Sequence, residues 1–259
     1  IVVWILVLLI GAALLSTVWS TTNDAAIRSR TSTMVSSCKG FHSKAAICLI
    51  LNLPLKGDVP SAVAACFAAA RCPHKLSVCA ILYEKDVDNI DERIKSRLRY
   101  MNQPEVLAEN FRYSIVYSRV DEVKQCLQDC YRNEAIVCVA QGQTVFVQDY
   151  DQKIRNYVPT EADWVFSQFP PADIHHRAGF PVFRCWKDRR MGMLKSFARE
   201  SGGLVPISLI SNQMYAFQSR MMPQIPFALL AKGRPLEATN ELAKYGLSIV
   251  SSSSSLLRN

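Results

Sequence analysis

Residues that could hold a metal ion or transfer a proton are few in this chain. The candidate acids are Asp149, Asp151, Asp163 and Asp173. None of them has the spacing of a carboxylate pair for general acid–base catalysis. His175 and His176 are adjacent, so their side chains would diverge on a regular element. Cys126 and Cys130 would share one helix face, but no second cysteine pair follows at ligand spacing, and a zinc site is not predicted.

The stretch EAIVCVAQGQTVFVQDYDQ, residues 134–152, changes abruptly from apolar to polar. Residues 136–140 form a continuous apolar run, which is typical of a strand buried on both faces of a parallel sheet. Gln141, Gly142 and Gln143 follow it, where α/β proteins that bind nucleotides place their ligand groups. Glycine-rich phosphate loops and the nucleophile elbow are both missing from the chain. Two interpretations stay open: a site with unrecognised ligands, or one that has lost them.

Strand and helix patterns alternate from residue 44 to residue 250, which predicts an α/β domain. Residues 44–54 and 75–84 should be buried strands in a right-handed crossover around an Ala-rich helix. Asp88 is expected to cap the next helix.

The C-terminal half is predicted to add strands within 180–186 and 205–222. A helix over 234–246 should end at Gly246. A short strand over 247–252 should close the domain, and residues 251–259 read as a serine-rich tail.

The first nineteen residues are uncharged and long enough to cross a bilayer of about 30 Å. We predict a transmembrane helix over 1–19, anchored by Trp4, Leu8, Leu15 and Trp19. A cleaved signal peptide and a buried helix are the alternatives, but a basic leader is missing and the apolar run exceeds the usual ~7–15 residues. Residues 20–43 are polar and would form a tether to the domain.

The charges that follow the apolar segment favour a domain on the cytoplasmic side. Arg28, Arg30 and Lys39 outnumber Asp24 there, and basic flanks tend to stay in the cytoplasm. Several of the nine cysteines lie within apolar runs, so we predict that most are reduced core residues. Reduced cysteines also fit a domain on the cytoplasmic side of the membrane.

The net charge of +8 is concentrated in two clusters. Their basic residues are Arg93, Lys95, Arg97, Arg99, Lys187, Arg189 and Arg190. Such runs usually form solvent-exposed faces. In a domain next to a membrane, a second interpretation is that they bind anionic lipid or an acidic protein. Nucleic acid is not an expected partner, because no binding motif accompanies the charge.

Four segments follow one another in an order that carries a resemblance. They are AAICLILNL with PSAVAACFAAARCPHKLSVCAIL, EVKQCLQDCYRNEAIVCVAQGQTVFVQDYDQKI, NQMYAFQSRMMPQIPF and GRPLEATNELAKYGLSI. Together they resemble the GT-A-type glycosyltransferases related to the cytoplasmic enzyme that adds N-acetylglucosamine to hydroxyproline in protists. The resemblance implies a mixed, mainly parallel sheet flanked by helices, here preceded by the transmembrane helix.

The resemblance also implies that a metal site has been lost. Members of that family carry Asp-Ser-His after the central strand, and a bound divalent cation there bridges the diphosphate of a nucleotide sugar. The matching positions here are Gln141, Gly142 and Gln143, and an amide is a poorer ligand for a hard cation than a carboxylate. The arginine expected two places on is Val145. Phe146, Val147, Tyr150 and Asp151 keep the family's pattern.

Two further acidic positions of the family are also replaced. Gly-Glu-Glu before the last helix corresponds to Gly233, Arg234 and Pro235. Gly-Tyr-Asp after that helix corresponds to Gly246, Leu247 and Ser248. The resemblance therefore implies no cofactor and no bound metal.

These expectations favour a single-pass membrane protein with a catalytically inactive glycosyltransferase-like domain that acts as a structural or docking module. Its partners would be the bilayer and other protein subunits, and it could link a membrane, such as that of a virion, to a protein shell such as a viral capsid. The alternative is a metal-independent transferase in which Lys232 and Arg234 offset the diphosphate charge. A third interpretation is a lipid-facing adaptor that uses the basic clusters.

Overall fold

A computed structural model of the chain describes residues 47–53, 58–83, 88–116, 122–141, 144–169, 204–252 and 255–258. The predicted transmembrane helix, its anchor residues Trp4, Leu8, Leu15 and Trp19, the tether and the predicted strand over 180–186 lie outside these residues. None of the helices within the described ranges has the length and apolar character needed to span a bilayer.

The described strands form one large sheet and one small one. The large sheet contains β1 Ile47–Asn52, β2 Leu76–Leu82, β3 Phe111–Ile115, β4 Ile136–Gln141, β6 Trp164–Gln168, β7 Leu204–Pro206, β8 Met214–Gln218 and β9 Ser248–Ser252, in the order β3-β2-β1-β4-β8-β6-β9-β7. The small sheet pairs β5 Val145–Phe146 with β10 Leu257–Arg258. Four of the seven neighbouring pairs in the large sheet are parallel. The predicted mixed, mainly parallel α/β sheet is confirmed.

Helices cover both faces of the large sheet. They are α1 Val59–Ala69, α2 Ile90–Tyr100, α3 Glu122–Cys130, α4 Tyr150–Tyr157, α5 Phe227–Ala231 and α6 Pro235–Lys244. Short 3₁₀ turns span Pro73–Lys75, Glu105–Asn110 and Ser219–Gln224. The cores on the two faces are separate: α1, α2 and α4 pack on one face, and α3, α5 and α6 on the other.

The apolar runs of the sequence become strands because both sheet faces are covered. Along β1, Ile47 and Leu49 face the layer of α1, whereas Cys48 and Ile50 face the layer of α3. All four side chains are fully buried. Alternate side chains of a strand point to opposite faces, so a strand between two helix layers needs an apolar residue at every position.

Two local predictions were wrong in detail. Helix α2 is capped at Asn89, which has φ of +53°, and not at Asp88. Asparagine tolerates this left-handed conformation better than most residues. Residues 219–222, predicted to continue a strand, belong to the 3₁₀ turn Ser219–Gln224. Pro223 lies in that turn and has no N–H with which to extend a ladder.

Residues 255–258, within the predicted serine-rich tail, pack into the domain. Strand β9 continues to Ser252, and β10 pairs with β5. The Leu256 N–H donates to Gln168 Oε1 at 2.6 Å, and Gln168 Nε2 donates to Ser252 Oγ at 3.1 Å. The domain therefore extends beyond residue 250.

The described cysteines mostly fit the prediction of reduced core residues. Six are free and buried: Cys48, Cys66, Cys79, Cys126, Cys130 and Cys138. Cys72 is the exception, because it is disulfide-bonded.

Leu256 provides a test of the C-terminal packing, since its side chain is 0% exposed. Leu256→Ala should lower the free energy of unfolding by about 2–5 kcal/mol, the cost of a cavity in a packed core. Leu236→Ala is the control, because Leu236 is 51% exposed and should change stability by less than about 0.5 kcal/mol. Urea denaturation followed by circular dichroism measures both values, and equal values would contradict the packing described.

Candidate functional site

A crevice is expected where the strand order reverses, at the carboxyl ends of β1 and β4. The chain leaves β1 toward β2 on one side, and β4 later pairs with β1 on the other. In open α/β sheets, ligands bind outside the carboxyl ends of the strands at such a point. The last residues of the two strands, Asn52 and Gln141, are register partners.

A hydrogen-bonded polar cluster lies next to this point. Asn52 Nδ2 donates to Glu122 Oε1 at 2.5 Å, and the Tyr83 hydroxyl donates to Glu122 Oε2 at 3.0 Å. Glu122 begins α3 and is only 6% exposed, whereas Asn52 and Tyr83 are partly exposed. Two neutral donors thus hold a nearly buried carboxylate at the ends of β1 and β2.

The turn after β4 begins at Gln141, which is partly exposed. Its N–H donates to the Gln213 carbonyl at 2.7 Å, and Thr144 Oγ1 donates to its carbonyl oxygen. Gly142 and Gln143 lie outside the described residues. The backbone at Gln141 is therefore held by its neighbours.

Aromatic residues after β5 anchor this turn to α1. The rings of Phe146 and Tyr150 stack with centroids 4.1 Å apart. The Tyr150 hydroxyl donates to the Cys66 carbonyl at 3.2 Å, and burial raises the pKa of Tyr150 well above its usual value. The Val147 N–H donates to the Leu256 carbonyl at 2.8 Å and so ties the turn to the C-terminal segment.

Asp151 completes the anchor and is fully buried. Its carboxylate accepts the N–H groups of Arg71 at 2.7 Å and Cys72 at 3.0 Å, which follow the end of α1. Arg155 Nη1 lies 3.2 Å from Asp151 Oδ2. Burying a charge is costly without a paired cation and hydrogen bonds, and Asp151 has both. Asp151 therefore has a structural role in the turn.

Arg234 and Pro235 lie at the start of α6, at the same end of the strands as the crevice. The Ile210 N–H donates to Thr239 Oγ1 at 3.0 Å, and the Ser211 N–H donates to Ser167 Oγ at 2.7 Å, near the carboxyl end of β6. Arg234 Nη1 lies 3.2 Å from Glu237 Oε2. Lys232 is exposed, and Gly233 has φ of +66° between the two helices.

Ser248 lies at the opposite end of the strands from the crevice. It begins β9, where it pairs with Trp164, the first residue of β6. Both β6 and β4 are antiparallel to β8, so β9 runs in the same direction as β4. Gln141 ends β4 and Ser248 begins β9, so these two positions lie at opposite ends of the strands.

The basic cluster on α2 is partly neutralised. Lys95 Nζ lies 2.8 Å from Glu92 Oε1, and Arg99 Nε lies 2.7 Å from Glu105 Oε1. The hydrogen bond to Glu92 raises the pKa of Lys95. Other basic side chains of the predicted clusters are Arg93, which is exposed, and Arg97, which stands over the Tyr100 ring at 5.0 Å. Lys187, Arg189 and Arg190 lie outside the described residues.

Within the described ranges, no group of three or more His, Cys, Asp or Glu side chains could hold a metal ion. Asp149 precedes α4 with φ of +61°, and its N–H donates to the Ala69 carbonyl. Asp163 is exposed. Asp173, His175 and His176 lie outside the described residues.

Sequence reasoning missed the cluster of Asn52, Tyr83 and Glu122. A signal was present for Asn52, because it is the first polar residue after an apolar strand. Glu122 reads as an ordinary acidic residue in the first turn of a helix, and only the packing of α3 brings it to the ends of β1 and β2.

No protein-family model and no curated protein matches this chain. One of the similar solved structures is a mannosyltransferase, PcManGT, from Pyrobaculum calidifontis, in complex with GDP-Man and Mn²⁺. The identity is 8%, the TM-score is 0.44, and the match covers 82% of this chain. It covers 57% of the mannosyltransferase chain, so this chain matches little more than half of that protein. A similarity of this degree does not establish a family or an activity.

Glu122 provides a test of the polar cluster. Glu122→Ala removes the acceptor of two hydrogen bonds and should lower the free energy of unfolding by about 1–3 kcal/mol. Glu109→Ala is the control, since Glu109 is exposed and its loss should cost less than about 0.5 kcal/mol. Thermal or urea unfolding measures the difference, and a Glu122 variant as stable as the control would show that the cluster is not held as described.

Proposed function

We propose that this chain is a membrane-anchored protein whose glycosyltransferase-like domain does not catalyse metal-dependent sugar transfer and serves as a structural or docking module. The observation that carries the proposal is the position of Gln141. It ends β4 beside Asn52, at the carboxyl edge where a nucleotide-binding α/β protein holds its ligand.

The chemistry of the crevice supports the loss of metal-dependent transfer. A hard divalent cation needs anionic oxygen ligands to offset its dehydration. Gln141 and Asn52 present amides, and the carboxylate beside Asn52, that of Glu122, already accepts two hydrogen bonds. The anchor of Phe146, Tyr150 and Asp151 is intact, so the turn keeps its shape without those ligands.

The membrane anchor and the docking role extend the proposal beyond the domain. Residues 1–19 have the length and apolar composition of a membrane span. A domain held on a short polar tether can connect a bilayer to other protein subunits, for example to the shell of a virus particle. The domain would then lie on the cytoplasmic side, as the basic flank favours.

The alternative, a metal-independent transferase, needs Lys232 and Arg234 to neutralise a diphosphate. Lys232 is exposed and could do so, but the Arg234 guanidinium is paired with Glu237. A diphosphate would have to compete with that carboxylate for the charge of Arg234. Calorimetry separates the two functions directly.

We expect titration of the full chain with UDP, GDP or UDP-N-acetylglucosamine to give no heat at millimolar ligand, with or without Mn²⁺. Binding that depends on Mn²⁺ would overturn the proposal. Micromolar binding without metal that Arg234→Ala abolishes would overturn the proposal and favour the alternative. Lys244→Ala is the matched control, since Lys244 is an exposed cation at the other end of α6 that also pairs with a glutamate.

Vesicle flotation tests the anchor. The full chain should float with neutral phosphatidylcholine vesicles at high salt, whereas a chain that lacks residues 1–19 should stay at the bottom of the gradient. If the shortened chain floats with anionic vesicles and releases at high salt, the basic clusters bind lipid and the adaptor interpretation is correct.

A further inference from the structure

Three carboxylates in the described part of the chain are almost completely buried. They belong to Glu122, Glu134 and Asp151, which are 6%, 2% and 0% exposed. Asp151 pairs with Arg155 at 3.2 Å, and Glu134 pairs with Arg112 at 3.0 Å. Burying a charge is costly unless an opposite charge and hydrogen bonds compensate it. Two of the three carboxylates thus have an arginine of their own chain as a partner.

Glu122 differs from the other two in its partners. Among the described residues, no lysine, arginine or histidine forms an ion pair with it. Its two hydrogen bonds come from neutral groups, the Asn52 amide at 2.5 Å and the Tyr83 hydroxyl at 3.0 Å. The start of α3 compensates part of the charge, because a helix N-terminus favours an anion modestly. A carboxylate offers about four lone-pair sites, so Glu122 can accept further hydrogen bonds.

The polar side chains around Glu122 lie on one face of the large sheet. Ile50 of β1 and Val139 of β4 belong to the core beneath α3. Side chains alternate along a strand, so Asn52 and Gln141, two positions farther on, stand on that same face. They are register partners on neighbouring strands, which are about 4.8 Å apart. The side chain of Gln141 therefore borders the carboxylate cluster.

The cluster keeps two amide oxygens for a ligand. Asn52 uses its NH2 group on Glu122, and within the described residues neither its Oδ1 nor the side-chain amide of Gln141 has a hydrogen-bond partner. Both residues are partly exposed. Helix α3 packs on β1, β2 and β3, and β4 lies beyond β1, so Gln141 marks the side of the cluster that α3 leaves open. A ligand that enters there meets one negative charge and several acceptors.

We propose that this cluster binds the guanidinium group of an arginine side chain from a partner protein. A guanidinium carries one positive charge, five N–H donors and no acceptor. Two of its donors match the carboxylate of Glu122, as in a bidentate ion pair. Its other N–H groups match the amide oxygens of Asn52 and Gln141. Tyr83 adds an aromatic ring, on which guanidinium planes stack.

Other ligands fit the cluster less well. A hard divalent cation needs several anionic oxygens, and the cluster supplies a single carboxylate. A phosphate group would be repelled by Glu122. An ammonium group has three donors on one point and cannot pair with a carboxylate in the planar, two-bond manner of arginine. The inference rests on the proposed docking function, since it requires a partner protein, and it names the group by which that partner is recognised.

Nuclear magnetic resonance of the ¹⁵N-labelled full chain in detergent micelles tests the proposal. The probe is N-acetyl-arginine methylamide, and the matched control is the citrulline compound, which has the same shape without the charge. We expect the arginine probe to shift the side-chain amide signals of Asn52 and Gln141 in a saturable way. The citrulline compound should bind roughly tenfold more weakly, because hydrogen bonds to charged groups are the stronger ones.

Two variants locate the binding. Glu122→Gln removes the charge and should weaken binding of the arginine probe by roughly tenfold. Gln141→Lys should weaken it similarly, because it places a cation at the open side of the cluster. This second variant should keep the melting temperature, since Gln141 is partly exposed. Ser96→Lys adds the same charge at an exposed position of α2, which packs on the other face, and should leave binding unchanged.

The outcomes separate this inference from the function on which it rests. Equal binding of the arginine and citrulline compounds, unchanged binding by Glu122→Gln, or no shift of the Asn52 and Gln141 signals would overturn the inference. The docking function would survive each of these results, because a partner could bind another surface. Shifts of the same signals by UDP with Mn²⁺ would overturn the proposed function instead.

Discussion

The parallel pairing of β1 with β4 is the interaction on which both the core and the crevice depend. Helices cover both faces of these strands, so each position must be apolar until the strand leaves the layer. The two strands pair in a register that matches Asn52 with Gln141. Their first polar side chains therefore emerge at the same level and next to each other. A single register thus sets where the apolar core ends and where a ligand could begin to bind.

In the turn after β4, the residues that hold the backbone in place are different from the residue at the candidate site, Gln141. Asp151 holds the turn to the end of α1 through two backbone N–H groups, and Tyr150 reaches the Cys66 carbonyl. None of these contacts involves the side chain of Gln141. A carboxylate at position 141 could be exchanged for an amide without loss of the contacts that shape the turn.

Much of the fold could be predicted, because its signals are local. The run of residues 136–140 predicts a buried strand, and Gly246, with φ of +72°, ends the last helix as expected. The site was only partly predictable. Gln141 was identified from its position after a strand, but Glu122 reaches the crevice only through the packing of α3. The motif that contains Ser248 does not say where it lies, and the direction of β9 places it at the other end of the strands from Gln141.

The sequence by itself determined which segments are strands and helices, and which residues are apolar enough to be buried. These properties follow from side-chain periodicity over a few neighbouring residues. Only the tertiary structure decided which strand ends lie next to each other. It also decided that Leu257 and Arg258 pair with β5, and that Cys48, Cys79, Cys126 and Cys130 belong to one core. The physical reason is that strand pairing and helix packing join residues far apart in the chain. Local spacing carries no information about which of these distant partners will meet.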